Sequence, residues 1–244
     1  MKSTQNIPFL RLLKHVHGLQ PAARFLYQRT PAGLDKHLMG MNFLHPIGVA
    51  SGIDRQGEYV DSISCFSPSF LEIGPLRDVR TGIKNLQAKR SDTIVLCNLS
   101  NIQDPVRAFT LIYDFVDAIV LNVSCNSTVS QFIDQLLEQR RYNDTYKPIV
   151  FKLFPDLTQE QQDEVAHFML SSGIDGVMVG AEFVGHVQEK THGLMPVIAT
   201  AEISNPERAA QILDSGADLI AVTNSPVHYG PNHLKRIVKY LEKR

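Results

Sequence analysis

The chain has 244 residues, 43% hydrophobic and 20% charged, with a formal net charge of −1. This is an ordinary globular composition, and it gives no broad electrostatic attraction to nucleic acid. No apolar run reaches the about 18 residues that would cross a membrane, and the first residues lack a secretory signal, so we expect a cytoplasmic protein. The three cysteines show neither paired nor zinc-ligand spacing, and we predict no metal site.

Residues 1–40 are predicted to form a helical extension that precedes the main fold. Apolar side chains recur there at helical spacing: Phe9, Leu12, Leu13, Val16 and Leu19. We favour a helix that packs on the rest of the protein. Contact of this face with a membrane or an apolar substrate is the alternative.

Eight short apolar runs, rich in Val, Ile and Leu, are typical of parallel strands buried on both faces. They span 47–50, 70–73, 93–97, 118–121, 149–151, 176–179, 197–199 and 219–222. Helical patterns lie between them, most clearly at 158–172, with a capping box at Thr158 and Gln161, and at 206–215, after an N-cap at Asn205. The patterns at 128–141 and 231–243 have the same character.

Alternating strands and helices require parallel pairing, and about eight such units favour a closed (β/α)8 TIM barrel over a doubly wound open sheet. We predict a single domain, residues 1–244, in which 41–244 form the barrel. The helical pattern at 77–92 is short and polar, so the barrel is expected to be irregular there.

Ligand sites of such barrels lie at the carboxyl ends of the strands. The residues that follow the apolar runs are polar or small: Ser51, Gly52, Gly74, Asn98, Asn122, Lys152, Gly180, Thr200, Thr223 and Asn224. Asparagine amides, a lysine and small residues converging on one rim suit a planar ligand that forms hydrogen bonds.

Lys152 directly follows a buried strand, where an unpaired charge is costly. One interpretation is a salt bridge with Asp54 or Glu72. The other is a cation that faces an anionic or electron-accepting ligand. We favour the second, since a shared ligand would offset the cost of burial.

Cys125 lies in the segment NVSCNST, just after the fourth predicted strand. Cys65 and Cys97 are expected to be small buried hydrophobes. Cys125 has polar neighbours and could act as a general base if Lys152 or a helix N-terminus stabilises its thiolate. Position alone leaves both interpretations open.

Several segments in order resemble the dihydroorotate dehydrogenase family. HPIGVASGIDRQGEYVDSI, from His45, is similar to the family's opening barrel motif, and FLEIGP, from Phe70, to its next strand. NVSCNST resembles the catalytic motif, and PIVFKLFPDLTQEQ, from Pro148, resembles a lysine-bearing strand. PVIATAEISNPERAAQILDSGADLIAVTNSPVHYGP, from Pro196, is similar to the C-terminal phosphate-binding region, so the likeness covers the chain from about residue 38.

The resemblance implies an FMN-dependent barrel that oxidises dihydroorotate to orotate in pyrimidine synthesis. It implies a flavin site formed by Ala50, Ser51, Gly52, Asn98, Asn122, Lys152, Thr200, Ala201, Thr223 and Asn224. Arg55 replaces a lysine that binds the substrate carboxylate, and Asn122 and Ser127 are further positions at the substrate. Cys125 occupies the position of the base, which is typical of the family's soluble class, whereas the N-terminal extension looks more like that of the membrane-associated class.

The departures from the family pattern concern phosphate and substrate binding. Ala201-Glu202 replaces a Gly-Gly pair, and a glutamate there adds negative charge beside a dianion. Thr223-Asn224-Ser225 replaces Tyr-Ser-Gly, and Asn126-Ser127 replaces a Pro-Asn. The position of the asparagine expected after the sixth strand falls near Ala181, and the glycine-rich loop that should follow it is missing. A substrate-binding segment between the second and third strands is deleted.

Three functions are therefore weighed. The first is a working dihydroorotate dehydrogenase that binds FMN and a dihydroorotate-like small molecule, and it is the lead. The second is a degenerate barrel that has lost turnover, with or without loss of FMN, and serves as a binding or partner protein. The third is an FMN barrel with another substrate. The family resemblance also allows a homodimer.

Overall fold

The computed structural model describes residues 8–16, 19–27, 31–100, 102–123, 129–153, 158–223 and 229–244. The strands in chain order are β1 (Lys36–Leu38), β2 (Met41–Phe43), β3 (Ile47–Val49), β4 (Phe70–Ile73), β5 (Ile94–Asn98), β6 (Ala118–Val123), β7 (Ile149–Leu153), β8 (Gly176–Gly180), β9 (Val197–Glu202) and β10 (Leu219–Thr223). The helices are α1 (Pro8–His15), α2 (Leu19–Tyr27), α3 (Val60–Ser64), α4 (Val79–Gln87), α5 (Pro105–Ile112), α6 (Val129–Arg141), α7 (Gln159–Ser172), α8 (Val184–Lys190), α9 (Pro206–Asp214) and α10 (His233–Leu241).

Strands β3 to β10 form a closed barrel in which β10 pairs with β3, and all the barrel strands are parallel. Each coincides with one of the eight predicted apolar runs, so the (β/α)8 prediction is confirmed. The predicted capping box of α7 is present, and Asn205 caps α9.

The predicted irregularity at 77–92 was wrong. A regular helix, α4, lies there, and the Asp78 carboxylate caps it by accepting a hydrogen bond from the Thr81 N–H. Its sequence is polar because only a narrow strip, including Gly82 and Leu86, is buried. A helix that covers little core needs few apolar residues.

The hydrophobic core has two layers, one between barrel and helices and one inside the barrel. Phe70 fills the inner layer beside Gly48, where an added Cβ would lie 2.4 Å from the Phe70 ring. The absence of a side chain at Gly48 therefore lets the aromatic ring reach the barrel axis.

The hairpin β1–β2, which the sequence analysis did not identify, covers the amino end of the barrel. Its two strands pair antiparallel, and the Phe43 ring meets Phe70 edge-on with centroids 5.7 Å apart. The predicted boundary between extension and barrel, after residue 40, lies in the turn of this hairpin.

Two helices, α1 and α2, pack beside α3. Leu10 and Leu13 are buried, whereas Leu12 and Val16 are exposed, so the predicted apolar face of α1 was wrong in part. Polar contacts help to hold these two helices in place, including an ion pair between Lys14 of α1 and Glu58. Within the described ranges, no helix is long and apolar enough to span a membrane.

Candidate functional site at the carboxyl end of the barrel

Strand alternation decides which side chains enter the mouth of the barrel. Phe70, Leu96, Val120, Val150 and Ile198 belong to the inner core layer. Side chains two residues further along a strand lie on the same face. This rule brings a ring of polar side chains to the carboxyl end of the barrel: Glu72, Asn98, Asn122, Lys152 and Thr200.

Lys152 is the residue of this ring that contacts both Glu72 and Ser51. Its Nζ lies 2.7 Å from Glu72 Oε2 and 2.8 Å from Oε1, and it donates to Ser51 Oγ at 3.0 Å. The Ser51 N–H also donates to Glu72 Oε2, at 2.9 Å. Of the two salt-bridge partners that the sequence allowed, Glu72 is therefore the one present, and its side chain is completely buried.

Two asparagines extend the network. Asn98 Nδ2 donates to Glu72 Oε1 at 3.1 Å and to Asn122 Oδ1 at 2.8 Å. The Ser100 hydroxyl donates to Asn98 Oδ1 at 2.6 Å and accepts from the Asn122 N–H at 2.6 Å. These bonds fix both amides, because each asparagine oxygen and the Asn98 nitrogen have defined partners. We call Ser51, Glu72, Asn98, Asn122 and Lys152 the lysine half of the mouth.

Arg55 lies in the loop after β3, and a buried carboxylate organises that loop. Asp54 accepts hydrogen bonds from the N–H groups of Gln56, Glu58 and Tyr59. Arg55 forms no ion pair with any described residue, and its buried Nε has no hydrogen-bond partner among them. A partly buried, unpaired guanidinium is suited to a carboxylate ligand.

The opposite part of the mouth is formed by β9 and β10. Glu202 ends β9, Thr200 lies two residues before it, and Thr223 ends β10, with Glu202 paired to Thr223 in the strand register. The Thr200 hydroxyl donates to the Val179 carbonyl at 3.0 Å, and the Tyr229 hydroxyl donates to Glu202 Oε1 at 2.6 Å. We call Thr200, Glu202 and Thr223 the glutamate half.

The remaining predicted site residues contribute a side chain to the mouth, lie in the core, shape the rim through their backbone, or fall outside the described residues. Ser51 reaches the mouth, whereas Ala50 is buried in the inner core and Ala201 packs against the outer core. Gly52 has a φ of 98° and donates its N–H to the Gly74 carbonyl, so its backbone shapes the rim. Cys125, Ser127 and Asn224 lie outside the described residues.

Sequence reasoning missed Ser100 and Tyr229, because each acts through a contact between distant segments. Cys65 and Cys97 are buried as predicted, and burial raises the pKa of both thiols. No cluster of His, Cys, Asp or Glu among the described residues is placed to hold a metal ion.

The two halves of the mouth differ in how they fit FMN. The lysine half offers the Lys152 ammonium and the amide nitrogen of Asn122 to a planar ring with carbonyl and nitrogen acceptors, which suits an isoalloxazine. The glutamate half offers a carboxylate, which has no proton to donate, to a phosphate dianion. Among the described residues, the lysine half therefore suits the ring of FMN, whereas the Glu202 carboxylate opposes its phosphate.

No family model matches the chain. Curated relatives named dihydroorotate dehydrogenase (quinone) do match. The relative from Haemophilus influenzae strain PittGG is 22% identical over 308 residues, covering 91% of this chain and 90% of the relative. The relative from Psychrobacter sp. is 23% identical over 314 residues, covering 94% of this chain and 90% of the relative.

Solved structures share the fold. The dihydroorotate dehydrogenase of Eimeria tenella in complex with ferulenol superposes with a TM-score of 0.78 at 16% identity, covering 98% of this chain and 92% of that one. A mandelate oxidase with a monooxide FMN adduct superposes with a TM-score of 0.64 at 13% identity, covering 99% of this chain and 88% of that one.

The curated alignments run over more than 300 positions, whereas this chain has 244 residues, so its relatives are longer. The order of the motifs, the closed parallel barrel and these relatives all indicate a likeness to the dihydroorotate dehydrogenases. Over most of its length the chain is similar to the quinone-type dihydroorotate dehydrogenases, at the low identity of a divergent relative, and it shares their fold.

Proposed function

We propose that the chain is a flavin-dependent oxidoreductase that oxidises dihydroorotate, or a closely similar cyclic amide, to its unsaturated product. The observation that carries the proposal is the position of Lys152 in the mouth of the barrel, within hydrogen-bonding distance of Ser51 and Glu72. A positioned cation stabilises negative charge that develops on a ring during reduction. Bound flavin would supply the hydride acceptor.

The residues of the chain would do the rest of the chemistry. Arg55, unpaired among the described residues, would bind the substrate carboxylate. Asn122 would donate from its amide nitrogen, since its oxygen already accepts from Asn98. Cys125 would take the proton from substrate C5 as a hydride leaves C6, and the C5–H electron pair would form the new ring double bond.

A second candidate function is a barrel that binds ligands or partners without turnover. Glu72 supports it, because this carboxylate already neutralises Lys152 at 2.7 Å. Glu202 supports it as well, because it places a negative charge where the tail of FMN would lie. The two candidates differ in whether the protein accepts electrons from a substrate.

The visible absorption spectrum of the purified protein, before and after addition of FMN or riboflavin, tests the proposal. We expect a flavin spectrum that bleaches when dihydroorotate is added without oxygen. A spectrum that persists after dihydroorotate would indicate another substrate. A colourless protein that neither flavin reconstitutes would contradict the proposal and favour the binding protein.

A further inference from the structure

Glu202 directs a carboxylate into the mouth of the barrel. It is the last residue of β9, in which Ile198 belongs to the inner core layer. Because side chains alternate along a strand, Thr200 and Glu202 share the inward face of Ile198. Glu202 is exposed and pairs in register with Thr223, so it lies at the rim between the last two barrel strands.

Tyr229 holds this carboxylate in place. Its hydroxyl donates to Glu202 Oε1 at 2.6 Å, and this hydrogen bond raises the pKa of Tyr229, so the phenol remains a donor. The Tyr229 ring stacks on His233 with centroids 4.6 Å apart, and buried His233 bonds the Ile203 carbonyl at 2.7 Å. The glutamate is thus supported by a stack anchored to the end of its own strand.

The position of Glu202 determines what can bind there. In parallel eight-stranded barrels, the loops after the seventh and eighth strands commonly bind phosphate. Those strands are β9 and β10 here. A carboxylate repels a phosphate dianion, but it accepts hydrogen bonds from hydroxyl groups.

We propose that this chain selects a planar ring ligand with an uncharged, hydroxyl-bearing tail, and that Glu202 discriminates against a phosphate monoester at the same position. The inference rests on the proposed flavin function and specifies its ligand: riboflavin binds in preference to FMN. The lysine half binds the ring in both molecules, so the difference between them arises at the glutamate half.

Paired titrations with riboflavin and FMN test the selection, with quenching of flavin fluorescence as the readout. The proteins are the wild type, Glu202→Gln, and Glu164→Gln as a control. Glu164 is an exposed carboxylate on α7, so its substitution changes the net charge equally.

We expect the wild type and Glu164→Gln to bind riboflavin about tenfold more tightly than FMN. This factor follows from the Coulomb repulsion in water between the single charge of Glu202 and the double charge of a phosphate about 5 Å away. Glu202→Gln should tighten FMN binding by a similar factor and change riboflavin binding far less, because the glutamine amide oxygen still accepts hydrogen bonds from the tail. Added salt should strengthen FMN binding by the wild type, because it screens the repulsion.

Three outcomes would overturn the inference. Tighter binding of FMN than of riboflavin by the wild type would refute it while leaving the proposed function intact. Equal FMN affinities of Glu202→Gln and Glu164→Gln would also refute it. Binding of neither flavin would refute both the inference and the proposed function. Since Glu202 is exposed, circular dichroism should show an intact fold in each variant.

Discussion

Lys152 and Glu72, from two strands that are not neighbours in the barrel, form an ion pair with an Nζ to Oε2 distance of 2.7 Å. The Glu72 side chain is fully buried and that of Lys152 is 16% exposed. Loss of one partner from a buried pair typically costs about 3–5 kcal/mol, because the other charge stays buried. We expect Lys152→Met to lower the free energy of unfolding by this amount in urea titrations.

A double-mutant cycle separates pairing from other effects of these substitutions. Glu72→Gln combined with Lys152→Met should restore part of the lost stability, giving a coupling above about 1 kcal/mol. The exposed pair Lys14 and Glu58 is the control, and its coupling should stay below about 1 kcal/mol. Equal couplings for the two pairs would contradict the assigned burial.

Cys125→Ala tests the proposed base. We expect loss of dihydroorotate-driven flavin reduction, because no thiolate would remain at this position to take the C5 proton. Any bound flavin should remain, as judged by its absorption. Cys97→Ala is the control, since Cys97 is a buried thiol whose pKa is raised. Unchanged reduction by Cys125→Ala would rule out this role.

Arg55 is expected to recognise the substrate through its carboxylate. Arg55→Ala should weaken orotate binding at least about tenfold, whereas Arg55→Lys should retain part of it because the charge is kept. Titration of orotate into the flavin-loaded protein measures both. Arg77→Ala, at an exposed arginine, should bind like the wild type. Full affinity in Arg55→Ala would mean that the guanidinium does not contact the ligand.

Gly48 tests the packing of the inner core. In Gly48→Ala the added methyl would lie 2.4 Å from the Phe70 ring, and we expect a loss of stability of about 1–3 kcal/mol. Combining it with Phe70→Leu should cost less than the sum of the two single changes. Gly185→Ala, in α8 with open space around it, should be neutral or stabilising.

His45 should make the stability depend on pH. Burial lowers its pKa from 6.5 to about 4. Between these values the unfolded chain binds a proton that the folded chain does not, so stability is complete above pH 6.5 and falls as the pH drops towards 4. The loss attributable to this residue is about 3 kcal/mol.

The measurement is urea unfolding at pH 7, 5.5 and 4. His45→Gln should show a smaller loss over this range than the wild type, while His37→Gln, at an exposed histidine, should not differ from the wild type. Parallel curves for the wild type and His45→Gln would exclude a buried neutral imidazole at this position.

Much of the site was predictable because it depends on periodicity. Each polar residue that ends an apolar run, such as Asn98 or Lys152, had to lie at the carboxyl edge of a parallel sheet. The capping box at Thr158 was also predictable, since its partner Gln161 is only three residues away. The inward face of α1 was not, because a short helix with apolar residues on several sides can be oriented only by its neighbours.

The sequence by itself determined the barrel, the carboxyl-end location of its polar residues and the unusual Glu202, because strand length, alternation and motif order are properties of the chain. Tertiary structure alone decided which charges meet. The choice of Glu72 over Asp54 as the partner of Lys152 depends on which side chain faces the barrel axis, and the contact of Tyr229 with Glu202 joins separate segments. Charge pairing depends on distances of a few ångströms, and barrel closure sets those distances.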